Sequence, residues 1–312
     1  MLGPSIITEK LASSRAQDGR SWGSMLSDYW ALTKPEVNFL ILITTAVGFY
    51  LGFGNEARPL SFISLFNTLL GTLLVASGTG TLNQYIERDF DAQMRRTARR
   101  PAAAGRLKPA TVLTFGIVLA VTGSIYLAIA ANLLASLLAI LTLLTYLAVY
   151  TPLKRKTPLC VIVGAFPGAM PPLIGWAAAS GRLNSEAWTL YAILFLWQFP
   201  HFTAIAWMYR EDYDRAGYLV LPKGKARVPF MTLETLLPLV ALVGITIVQL
   251  PTRHAAIFYC AGALLSLAFL YFGLEFVLQR SRLAARRLLA ASIVYLPFLL
   301  VLSATLCNRA RT

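Results

Sequence analysis

Long apolar runs recur along this chain and leave it few ways to fold. Nine stretches, at about 36–54, 61–83, 111–131, 133–151, 159–179, 187–207, 232–250, 255–277 and 288–307, are nearly free of charge. Each is close to the roughly 17–25 residues a helix needs to cross a bilayer. In hydrocarbon the backbone must satisfy its own hydrogen bonds, so only helices or a closed barrel can span. A barrel would show alternating segments of about ten residues instead. The chain therefore reads as an all-α, polytopic membrane protein with about nine transmembrane helices. Charged residues make up 13% of it, against about 25% in a soluble domain. No separate soluble domain is large enough to fold alone. The expected organisation is a cytoplasmic N-terminal segment, 1–35, and a single transmembrane domain, 36–312.

The net charge of +14 could suggest nucleic acid, but its distribution argues otherwise. With the N-terminus in the cytoplasm, nine spans place 23 of the 28 Lys and Arg residues on the N-terminal side. Arg58, Arg182, Arg253, Arg309 and Arg311 are the 5 on the opposite side. This positive-inside bias supports the span count and the orientation, and no nucleic-acid partner is expected. The first 35 residues, with Glu9, Asp18 and Asp28, lack an apolar core and do not read as a cleavable signal. Cys160, Cys260 and Cys307 fall in or at the end of spans, form no CxxC pair, and read as small buried residues.

Two inner loops, about 84–110 and 208–231, are long and polar, so any chemistry belongs on the cytoplasmic face. "NQYIERDFDAQMRRTARRP" (Asn83 to Pro101) opens the first, between stretches with no charge at all. Asn83, Glu87, Asp91, Arg95 and Arg99 recur every four residues, which on a continuing helix makes one slowly drifting stripe. The plain reading is a solvated helix end with ion pairs. Two features favour a site. Asn83 ends an apolar run, after the small residues "ASGTGT", where a polar group faces a bundle interior. Carboxylates with guanidiniums also suit a diphosphate ester: hard oxygens hold Mg²⁺, which phosphates complete, and arginines grip the remaining oxygens.

The second loop follows "WQFPHFTAIAW" and contains "REDYDRAGY", with Glu211, Asp212 and Asp214 beside Arg210, Arg215, Lys223, Lys225 and Arg227. Pro200 is expected to kink its span. His201 follows within the membrane segment and reads either as a core histidine or as a substrate contact. A third stretch, Tyr150 to Trp176, joins the basic turn Lys154, Arg155 and Lys156 to a span broken by Gly and Pro. In the functional reading, Gly164, Gly168 and Pro171 leave room for a large apolar substrate.

Together these stretches resemble the UbiA-type intramembrane prenyltransferases, and among them the branch that modifies heme. Asn83, Glu87 and Asp91 occupy the family's first motif, Asn-x3-Asp/Glu-x3-Asp. "YTPLKRKT" and "GAFPGAMPPLIGW" match its fourth-to-fifth helix connection, and "WQFPHFTAIAW" and "REDYDRAGYLVLP" match the heme branch. There are departures. Many members have Asp where Glu87 stands, and in the second motif, Asp-x3-Asp, Asp212 fits the later position while Met208 holds the earlier one. The resemblance implies a central cavity, and transfer of farnesyl from farnesyl diphosphate to a vinyl group of heme b. It implies heme O as product, Mg²⁺ as cofactor, and heme A synthase or oxidase-assembly proteins as partners; the compact length favours the lipid bilayer of a bacterial inner membrane over a mitochondrial one as the setting. Asn83, Glu87, Asp91 and Asp212 would be catalytic and hold Mg²⁺ against the diphosphate. Arg88, Arg95, Arg99, Lys154, Arg155 and Lys223 would supply cations, and His201 would orient heme.

Three rivals stand beside this reading. Prenylation of a quinone precursor lacks the heme-type patches. An ion-coupled transporter wants acids at mid-span, whereas Glu36, Glu234 and Glu275 read as lying near span ends. A heme electron carrier wants two axial histidines, and His254 falls on the opposite face.

Overall fold

The computed structural model describes residues 21–54, 61–248 and 255–308. Glu9, Asp18, Arg58, Arg253, His254, Arg309 and Arg311, and the side chain of Cys307, lie outside the described residues. Helix α1 (Trp22–Leu32) precedes the first span, α2 (Pro35–Phe53); α3 (Phe62–Asp91) and α4 (Pro109–Ala130) follow. α5 (Leu133–Leu144) runs through a π turn, Thr145–Tyr150, and a last helical turn to Leu153. α6 (Cys160–Gly168) and α7 (Met170–Ser180) form one broken span, and α8 (Ser185–Met208) the next. The short α9 (Arg210–Arg215) leads into α10 (Arg227–Val248), α11 (Ala255–Gln279) and α12 (Arg282–Asn308). Among the described residues, nine helices or helix pairs are long and apolar enough to cross a membrane, and no strand is present. The chain is an integral membrane protein.

The helix ends follow from local chemistry. Pro35 and Pro109 open α2 and α4, where a missing N–H costs nothing. Ser61, Asn132 and Asn184 each accept a hydrogen bond from the backbone N–H three residues on, capping α3, α5 and α8. Gly181 ends α7 with φ +69°, a conformation glycine adopts without strain.

Polar and apolar residues are distributed as lipid demands. Phe39, Leu40, Phe66, Ile125, Leu137 and Phe298 are exposed, while Asn38, Thr45, Thr72, Asn83, Gln198 and Thr203 are buried. Lipid supplies no hydrophobic drive between helices, so close backbone approach does the work. α2 packs along α7 and α3 along α4, while α8, α10, α11 and α12 form a second group that meets the first through α8 on α6 and α7 and through α12 on α2. The α6–α7 span is innermost: 78% of its apolar window is buried, against 17–50% in the other spans. The room expected at Gly164 and Gly168 is taken by the chain itself, because the Tyr150 ring fills the first and the Gln198 amide the second. Two further expectations shift. Cys160 is buried, but Cys260 is exposed on α11. Glu234 lies two turns inside α10 and is buried, since the helix begins earlier than its apolar run.

Candidate active site at one end of the bundle

α3 is the element that makes the site. Its apolar run ends near Leu82, but the helix continues to Asp91. The extra turns carry Asn83, Glu87 and Asp91 on one stripe, all buried. Asn83 donates from Nδ2 to Glu87 Oε2 at 2.7 Å, and Asn83 Oδ1 accepts from the Thr151 hydroxyl at 3.0 Å. Glu87 Oε1 meets Lys154 Nζ at 2.8 Å. Asp91 Oδ2 meets Arg100 Nη1 at 2.7 Å. Glu87 and Asp91 are thus each matched by one cation, as burial of charge requires.

The π turn at the end of α5 serves this arrangement. Such turns shift the register of side chains and recur at functional sites. Here it sends Thr151 to Asn83 and sets the Tyr146 and Tyr150 rings beneath Lys154, with Nζ 5.8 and 4.5 Å from their centroids. Burial opposes the charge of Lys154, but Tyr150, Glu87 and Tyr146 outweigh it and hold the ammonium well above the usual lysine range.

α3 stops at Asp91, and turns and bends follow from Ala92 to Leu107 before Pro109 opens α4. The four-residue stripe stops there too. Arg95 and Arg99 are exposed; the returning chain brings Arg100, not either of them, to Asp91. Arg88 turns to its own helix, donating to the Tyr85 carbonyl at 2.8 Å. Arg155 lies over the Phe90 ring at 4.0 Å, and Lys223 is exposed.

The two long loops meet: Arg96 reaches the Tyr213 hydroxyl at 3.4 Å, and Met94 packs with Ala216 and Tyr218. The second loop also closes on the basic turn, where Leu219 N–H donates to the Lys154 carbonyl at 2.7 Å. Asp212, on α9, pairs with Arg215 at 3.2 Å. Among the described residues no three of His, Cys, Asp and Glu converge as a metal cage, so the four expected ligands are not preassembled. His201 lies between α8 and α12: Nδ1 bonds the Ser292 hydroxyl at 2.8 Å and its ring stacks on Trp197 at 4.7 Å.

Besides Arg100, two residues escaped the sequence reading. Lys34, at φ +54° between α1 and α2, lays its chain along Gly80 and lies in the field of Arg100, Glu87, Lys154 and Asp91. Burial, then Arg100, lowers its pKa to about 7. Its signal in the sequence is a cation directly before a helix-opening proline at a span boundary. Tyr218 is the other. Its buried hydroxyl meets no partner in good hydrogen-bond geometry; burial, with Glu87 close by, pushes its pKa up.

Comparison with known proteins agrees with this architecture. The structure superposes on that of a digeranylgeranylglyceryl phosphate synthase with a TM-score of 0.71 at 14% identity, covering 91% of this chain and 99% of that one. It superposes on a UbiA homolog from Archaeoglobus fulgidus, solved with GPP and Mg²⁺, with a TM-score of 0.61 at 14% identity, covering 86% and 99%. At such identity the likeness is one of fold. The chain belongs to the UbiA prenyltransferase family, whose sequence model matches residues 41–300. Within it, the chain is 43% identical over 281 residues to a protoheme IX farnesyltransferase of Solibacter usitatus, covering 88% of this chain and 96% of the relative. It is 40% identical over 303 residues to one of Koribacter versatilis, covering 95% and 96%.

Proposed function

We propose that this chain transfers the farnesyl group of farnesyl diphosphate to a vinyl group of heme b, giving heme O, at the cytoplasmic face of a bacterial inner membrane. The substrates follow from the named relatives, the side from the charge bias of the loops. The observation that carries the chemistry is the buried Asn83–Glu87–Asp91 stripe, held against Lys154 and Arg100 where the two loops meet.

The donor set fits a single Mg²⁺. That ion needs few protein carboxylates and is completed by phosphate oxygens and water, so a ready cage of three acids is not required. Glu87 and Asp91, with Asn83 and with Asp212 from the second loop, are the residues that would hold it. Mg²⁺ bound there would neutralise the diphosphate and improve it as a leaving group.

The remaining roles belong to the chain's own residues. Lys154 carries a fixed charge for the phosphate oxygens. Arg100 exchanges Asp91 for the same anion, and Tyr218 donates its unpartnered hydroxyl. Arg88, Arg95, Arg99, Arg155 and Lys223 surround the mouth and attract the anion before it docks. When the allylic C–O bond breaks, its electron pair leaves with diphosphate. The allylic cation passes under the faces of Tyr146 and Tyr150 and adds to the vinyl carbon. Water then bonds the adjacent carbon and releases a proton. His201 orients heme from the α8–α12 side, by its iron or a propionate.

Purified protein with heme b, farnesyl diphosphate and Mg²⁺ should yield heme O by mass, and chelator should abolish it. Asp91→Asn should lower turnover at least about 100-fold while the protein stays folded. Undiminished product from that variant would sink the stripe's role. Farnesylated 4-hydroxybenzoate, without heme O, would instead identify a quinone-precursor enzyme.

A further inference from the structure

α1 carries two unlike faces. One is tied to the bundle. Asp28, the helix's single charged residue, pairs with Arg106 at 2.8 Å. Leu32 packs with Ala102, Leu107 and Val112, and Tyr29 meets Phe115 edge-on at 5.0 Å. The carbonyls of Ala31 and Leu32 accept from the Gln84 amide at 3.1 and 3.2 Å. The other face is bare. Trp22, Leu26 and Trp30 are 82%, 68% and 66% exposed and recur every four residues, so they form one apolar stripe.

Depth decides what that stripe meets. Phe115 lies six residues into α4, about 9 Å along the helix axis, so Tyr29 beside it sits at the level of the first turns of a span. α1 also turns directly into α2, whose Val37, Phe39 and Leu40 are exposed on the lipid side. The stripe therefore continues the lipid-facing surface rather than interrupting it. Tryptophan favours the membrane–water boundary, where its ring is apolar and its N–H wet.

We propose that α1 is an interfacial anchor, with Trp22, Leu26 and Trp30 seated at the headgroup–acyl boundary of the leaflet on which the candidate active site opens. The anchor is linked to that site. Arg106 bonds the Arg99 carbonyl at 2.9 Å as well as Asp28, one residue from Arg100, and Lys34 follows α1 after a single residue. Lipid seating thus fixes one end of the segment that delivers two site cations.

The test places the full chain in phosphatidylcholine nanodiscs whose acyl chains are brominated near the headgroup or near the methyl end. Comparing the wild type with W22F/W30F isolates those two tryptophans from the other four. Their fluorescence should be quenched at least about twofold more by shallow bromine than by deep bromine, as suits a helix lying in the interface. It should also resist aqueous acrylamide. Quenching by acrylamide without effect of bromine would put the stripe in water; quenching by neither would put it under protein. Stronger quenching by deep bromine would put it in the acyl core. Any of these overturns the proposal. If the double variant folds poorly, W22F and W30F make the same comparison one ring at a time.

Discussion

Lys34 shows how a residue's surroundings write its chemistry. Between about pH 7 and 10.5 the unfolded chain keeps a proton there that the folded chain has released, because burial and Arg100 disfavour the charge. This group therefore opposes folding most below about pH 7, and its opposition is relieved as pH rises to about 10.5. An arriving diphosphate reverses the balance and draws the proton back. Titration calorimetry in buffers of different ionisation enthalpy at pH 8 should show net proton uptake on farnesyl diphosphate binding. Lys34→Met should remove it, and binding without uptake in the wild type would contradict the assignment. The arginines offer a second test at this scale. Arg100→Gln leaves buried Asp91 without its cation and should cost at least about tenfold in turnover, whereas Arg95→Gln, at an exposed position, should cost less than about threefold. The sequence presented five arginines between Asn83 and Pro101, of which Arg95 and Arg99 fell on the four-residue stripe; which one turns back to Asp91 depends on where α3 ends.

Among the elements, α2 and α7 show what glycine does in a bundle without hydrophobic drive. A Cβ on Gly175 would overlap the Thr45 carbonyl, and one on Gly48 would overlap Pro172. Backbone cannot move aside as a side-chain tip can. Gly175→Ala should therefore destabilise by about 1–3 kcal/mol or more, visible as a lowered Tm in detergent; Gly244→Ala, with nothing nearby, is the control and should leave Tm unchanged. The π turn before Thr151 is of another kind. Pro152 in "TYLAVYTPLK" marks a break in the helix there, but not that the break takes the form of a π turn; the bonds of Thr151 to Asn83 and of Lys154 to Glu87 fit the shifted register. α1 was hidden for a different reason. A single stripe of three apolar residues is too thin to register beside spans of twenty.

For the whole molecule, the decisive arrangement is the meeting of two loops that four spans separate. Arg96 on Tyr213 and Tyr218 near Glu87 make each loop part of the other's wall, and Leu219 closes the second loop onto Lys154 after α5. A ligand bridging them should stabilise the fold as a unit. Farnesyl diphosphate with Mg²⁺ at about a hundred times Kd should add about 2.7 kcal/mol and raise Tm in a thermal scan, while Mg²⁺ alone should not. An equal shift with Mg²⁺ alone would mean that the carboxylates bind the ion without the diphosphate.

Nine spans and the polar stripe of α3 could be written down from the order of residues. Each depends on local quantities: the length of an apolar run against bilayer thickness, the placement of charge, and the helical repeat. Tertiary structure alone brought Arg100 and Lys34 to the acids, filled the space at Gly164 and Gly168, and closed one loop against the other. Those outcomes depend on where the chain reverses and on what packs beside it, and residues far apart in sequence decide both.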